Sequence, residues 1–165
     1  MRPQVTRRII ATAATLTLAA LAAATPVTPV QAGGKYGPRL LVKIAVPMVK
    51  AATPAWVKTW WTTRSDICDV RVTVTGGPDI AAVTYPSNTG TYTSFFRSAD
   101  LARGQVDYTA MKLTTTADAA GWITLDLAVA YTKLPGARQH AAYSACTGKR
   151  AERTTHAQLY VRPRR

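Results

Sequence analysis

The chain has 165 residues, with 21 Lys and Arg against 8 Asp and Glu, two Cys and two His. That length accommodates one domain and excludes a large multidomain enzyme. A hydrophobic content of 47% excludes wholesale disorder, and a formal net charge of +13 favours acidic polymers as partners, because the summed field attracts anions.

Residues 1–32 read as a secretory signal peptide. Arg2, Arg7 and Arg8 form a positive start, Ile9 to Ala24 carries no charge, and Val30-Gln31-Ala32 supplies the small-x-small pattern of a cleavage site. The apolar stretch is short and rich in Ala and Thr, which argues against a membrane anchor. No Cys stands at the cleavage site to take a lipid. Leu134-Pro135-Gly136-Ala137 lacks the threonine and the hydrophobic tail of a wall-sorting signal. The expectation is a secreted, extracellular domain over 33–165, without a transmembrane anchor.

From there the hydrophobic period is two. Leu40, Val42, Ile44 and Val46 alternate with outward Arg39 and Lys43, and Pro47 then predicts a first strand that breaks and crosses between sheets. Ala55–Thr62 follows. Cys68–Thr75 sets Cys68, Val70, Val72 and Val74 on one face against Asp69, Arg71, Thr73 and Thr75, and Gly76-Gly77-Pro78 ends it. Ile80–Tyr85, Thr91–Arg97 and Gln105–Leu113 are separated by the turn residues of 86–90 and Ala102-Arg103-Gly104. Ile123, Leu125, Leu127, Val129 and Tyr131 form another alternating strand after the turn at 118–121. Gln139–Cys146 and Ala157–Arg162 complete the set. Strands at this spacing, with no 3.6-residue period, predict an all-β antiparallel sandwich.

Cys68 and Cys146 are the two cysteines of an exported chain, so a disulfide is expected. Two separated strands stapled across a core resemble immunoglobulin-like domains. The antibody pattern itself is absent, since Ser144 stands two residues before the second Cys and no Trp follows Cys68 at the expected distance. Asp107-Tyr108-Thr109-Ala110, followed by Gly121 and a long alternating strand, resembles the D-Y-x-A segment of Calx-β-type sandwiches. That resemblance implies the fold and no metal, because the chain has one Glu and seven scattered Asp.

Catalytic signatures are lacking. His140 and His156 are the only imidazoles, and a triad of Ser144, His140 and Asp69 lacks a nucleophile elbow or oxyanion loop. Glu152 lies between Arg150 and Arg153, where it reads as an ion-pair partner rather than half of a glycosidase pair. Zinc needs three or four ligands, and the disulfide consumes both thiols. No catalytic residue, metal or cofactor is expected, and the chain reads as a non-enzyme.

Two surfaces carry the functional reading. Lys149, Arg150, Arg153, Arg162, Arg164 and Arg165 concentrate positive charge near the C-terminus. They are expected to form one basic face docking an anionic cell-envelope polymer or polysaccharide, with nucleic acid not expected as the physiological partner. The plainer reading is a solvated basic tail. Trp56, Trp60 and Trp61 are the densest aromatic group, with Trp56 and Trp60 on one strand face and Trp61 on the other. An exposed indole there is a candidate sugar-stacking platform, and core packing is the alternative. The expected function is a secreted binding or accessory module. The alternatives are a carbohydrate-binding module using Trp, or a secreted inhibitor or toxin.

Overall fold

A computed structural model describes residues 37–86, 90–134 and 146–164. The expected signal peptide, Lys35, the turn residues 87–89, the strand expected over Gln139–Cys146 apart from Cys146 itself, Arg138 and Arg165 lie outside them.

The described chain forms eight strands: β1 (Arg39–Leu40), β2 (Val49–Lys50), β3 (Ala55–Thr62), β4 (Ile67–Gly76), β5 (Ile80–Thr84), β6 (Val106–Thr115), β7 (Gly121–Lys133) and β8 (Lys149–Arg162). They make two four-stranded sheets, ordered β1-β3-β6-β5 and β2-β8-β7-β4. All pairs are antiparallel except β2 with β8. With β1, β3, β6 and β5 as strands A, B, E and D, and β4, β7 and β8 as C, F and G, this is the immunoglobulin-like connectivity. The fold is an all-β sandwich with one disulfide.

Alternation drives the packing. Val57, Thr59 and Trp61 of β3 and Thr109, Met111 and Leu113 of β6 face inward, meeting Leu125, Leu127, Val129, Ala157 and Leu159 from the other sheet. Within this core the Trp61 indole Nε1 donates to Thr59 Oγ1 at 2.9 Å and Thr109 Oγ1 at 3.1 Å, and the two hydroxyls are 2.7 Å apart. These buried polar groups are therefore satisfied locally.

The first strand departs from its sequence reading. Only Arg39 and Leu40 form a strand there, and Val42, Ile44 and Val46 are 47%, 45% and 41% exposed whereas Ala45 is buried. The segment runs along the open side of the sandwich and bonds to both sheets in turn. Leu41 N donates to Trp60 O, Ala45 N to Gln158 O, Val46 N to Lys58 O, and β2 then joins β8. A chain shared between two sheet edges cannot hold one inward face, so the alternation does not become burial. The crossing expected at Pro47 is present, as one of several.

Cys68 also differs. Between Cys68, opposite Thr132, and Arg71, opposite Ala130, β4 has two residues where β7 has only Tyr131. This bulge, with Asp69 at φ 49°, reverses the phase of the strand. Ile67 faces the core, and Cys68 shares the outer face with Thr132. Cys68 is nevertheless fully buried. The bridge joins β4 to the residues just before β8, across the end of β7, with Cα atoms 5.9 Å apart. It ties strands of one sheet rather than stapling the two sheets across the core. Thr91–Arg97 makes only isolated bridges, Thr93 to Val72 and Phe95 to Thr109, because it too moves from one sheet to the other.

Candidate functional site

The outer face of the β1-β3-β6-β5 sheet gathers rings and cations. Period-two geometry sends Trp56, Lys58 and Trp60 of β3 outward, and register sets Trp56 opposite Lys112, Lys58 opposite Ala110 and Trp60 opposite Tyr108. Trp60 and Tyr108 centroids are 5.0 Å apart. Phe96 stacks on Tyr108 at 4.7 Å with 16° between the planes, and Lys58 Nζ sits 4.5 Å from the Tyr108 centroid. Trp56 is 49% and Phe96 70% exposed.

Phe96 belongs to no strand, and two bonds hold it in place. Its amide donates to Tyr108 O at 2.9 Å. The next amide, of Arg97, donates to Asp107 Oδ2 at 3.1 Å, while Asp107 Oδ1 accepts from Tyr108 N at 2.7 Å. The buried Asp107 of the Asp-Tyr-Thr-Ala motif thus clamps the loop that carries Phe96. The outward positions of β3 and β6 hold no carboxylate, so the face pairs flat apolar rings with the cations Lys58 and Lys112.

Of the three tryptophans of β3, Trp56 and Trp60 belong to this face and Trp61 is core. The Trp-x-Lys-x-Trp alternation of 56–60 was the available signal for Lys58. Tyr108 and Phe96 become legible only once β3 and β6 are placed in register.

The basic residues are not brought together. β8 is continuous over 14 residues, so Lys149 and Arg162 stand about 43 Å apart at strand rise. At the first end, Arg150 Nη1 lies 3.9 Å from Asp69 Oδ2, and Arg153 Nη1 donates to Pro38 O at 3.1 Å. Asp69 also pairs with Arg71 at 3.1 Å. Burial, opposed in part by an Asp69 backbone hydrogen bond, pushes the nearby Asp100 carboxyl upward, with the Asp69 charge adding to the rise. At the other end are Arg162 and Arg164, both exposed. The described residues of the single face expected from sequence therefore fall in two clusters, because residues 149–153 belong to the same continuous strand as Arg162.

His156 Nδ1 lies 2.7 Å from Asp126 Oδ1 on the exposed outer face of β7 and β8. Among the described residues no group of three or more His, Cys, Asp or Glu could hold a metal ion. Among them, too, no helix is long and apolar enough to cross a membrane.

No family model and no curated protein matches the chain. Among solved structures, the enzyme AvmM, which catalyses macrocyclization in alchivemycin A biosynthesis, is similar at 9% identity over 82% of this chain and 93% of that one, with a TM-score of 0.43. PapD-like domain 7 of human CEP192 is similar at 10% identity over 87% and 96%, with a TM-score of 0.38.

Proposed function

We propose that the protein is an exported, non-catalytic binding module that docks on an acidic polysaccharide through the outer face of β3 and β6. The observation carrying this reading is the Trp60–Tyr108–Phe96 cluster with Lys58 over its central ring, on a face without carboxylates. Flat rings offer apolar area at little entropic cost, and the lysines supply charge complementarity to uronate-type groups. Trp56 and Trp60 lie about 13 Å apart along β3, a length suited to an extended ligand. Export is supported by the Cys68–Cys146 disulfide, a bond that persists in oxidising compartments, and by the signal-like pattern of residues 1–32.

The test is titration with polygalacturonate, neutral amylose and oligo-dT at equal ionic strength, read by Trp fluorescence. Polygalacturonate is expected to bind most tightly. Trp56→Ala and Lys58→Ala should each weaken it by about five- to tenfold, in line with ring and cation–π contributions near 1 kcal/mol. Arg150→Ala should leave it unchanged. Tighter binding of oligo-dT, or indifference to Trp56→Ala and Lys58→Ala, would overturn the reading.

A further inference from the structure

The opposite sheet carries a second feature, at the far end of β8. Lys50 and Arg162 are direct partners in the parallel β2–β8 pair, so their side chains leave the same face side by side. Like charges placed directly opposite on neighbouring strands are destabilising. Both side chains are exposed, and neither has a carboxylate within ion-pair distance among the described residues. Among the described residues, no acidic group offsets the two cations in each other's field.

The backbone beneath them is fixed. Ala51 N donates to Arg162 O at 2.9 Å and Thr53 N to Lys50 O at 3.2 Å, and Ala52 closes the turn at φ 53°. Lys50, Arg162, Tyr160 and Pro163 line an open groove of about 720 Å³. The Tyr160 ring is braced by Trp122, directly opposite on β7, edge-on at 5.2 Å. The groove therefore offers two positive side chains, on backbone held in place, beside an aromatic wall.

We propose that this groove is a binding site for a phosphate monoester carried on a sugar or polyol. A phosphate monoester near neutral pH carries about −1.5 to −2 charges, which matches one Lys and one Arg. The guanidinium can meet two phosphate oxygens through its planar fork, and the ammonium acts as a point charge. Tyr160 then covers the organic group attached to the phosphate. The site lies on the outer face of the other sheet from the aromatic platform and does not depend on it.

The test uses the protein with glucose 6-phosphate, inorganic phosphate and glucose, read by fluorescence and by thermal unfolding in low-salt buffer. Glucose 6-phosphate should quench Trp fluorescence and raise Tm. Inorganic phosphate should raise Tm more weakly with little quenching, and glucose should do neither. Trp122→Phe should abolish the quenching while keeping the Tm shift. Lys50→Gln and Arg162→Gln should each weaken glucose 6-phosphate binding by about tenfold or more, as expected for loss of a charge-assisted bond. In ligand-free buffer the same variants should be at least as stable as the parent, because the repulsion is relieved. Equal Tm shifts from both phosphates would reduce the site to one for free phosphate. Absence of any phosphate-specific shift beyond that of equimolar chloride, or variants that bind normally, would overturn the proposal.

Discussion

At the scale of single residues, the fold depends on which side of each strand a residue occupies. Val72 is fully buried, so Val72→Asp places a carboxylate without a partner in the core and should cost about 4 kcal/mol or more, read as lost secondary structure or a collapsed denaturation midpoint. Its neighbour Arg71 is half-exposed and paired with Asp69, and Arg71→Ala should cost about 1 kcal/mol or less. Comparable losses from the two would show that the faces are wrongly assigned. Tyr131 adds a pH dependence. Burial pushes its phenol upward, and the Arg153 cation offsets part of that rise. A folded-state pKa above the unfolded value means that the stabilising contribution is complete below the ordinary tyrosine range, near pH 10. It is lost as pH rises through the folded value. The stability of Tyr131→Phe should therefore fall less steeply with pH above that range than that of the parent, and parallel curves in alkaline denaturation would contradict this account.

At the scale of elements, the β4 bulge decides where the disulfide acts. Because the bridge closes a separation of 78 residues, the loop-entropy model assigns it about 4–5 kcal/mol. The Cys68→Ser/Cys146→Ser double variant should lose stability of that order in urea, with its strands retained by circular dichroism. A loss below about 1 kcal/mol would mean that the closed loop hardly constrains the unfolded chain. How far such elements were legible depended on whether one residue pattern served one sheet. β3, β4 and β7 each belong to a single sheet with one buried face, and their alternation placed them within a few residues of their bounds. Leu40–Val46 has the same alternation, but its bonds are divided between β3 and β8, so Val42, Ile44 and Val46 are left half-exposed. The first half of β8 was missed for the opposite reason. Apart from Ala151, Lys149 to His156 are polar on both faces, and their strand character comes from pairing with β7, residue for residue, from Lys133 to Asp126. The bulge at Asp69 left no mark in the sequence, because Asp is only one of several residues that tolerate a left-handed backbone. Of the candidate site, Trp56 and Trp60 were legible from strand parity, whereas Tyr108, Phe96 and the Lys50–Arg162 pairing needed the register between distant strands.

At the scale of the whole molecule, positive charge is dispersed. With Lys149 and Arg162 at opposite ends of β8 and Arg150 and Arg153 already engaged, a short polyanion can reach only two or three cations at once. The logarithm of its affinity should therefore fall with the logarithm of salt at a slope of about two, where a single six-cation face would give about four to five. The aromatic platform and the Lys50–Arg162 groove occupy opposite outer faces of the sandwich. A long polymer bearing both uronate and phosphate groups should consequently be cross-linked by the protein and scatter light near equivalence. Short oligomers of the same composition should not, and equal scattering from both would exclude two independent faces.

The position of the bridge also determines how the molecule bears load. Tension drawn along the chain passes from Ile67 through the Cys68–Cys146 bond to Lys149, bypassing β5, β6, β7 and nearly all of β4. Only strands outside that closed ring can be drawn out, so β3 and β8 yield while the strands beside them stay covalently slack. A module tethered between a surface and a polymer would thus give way in a short, limited step. Reduction of the bridge would release roughly 270 Å of further chain at full extension.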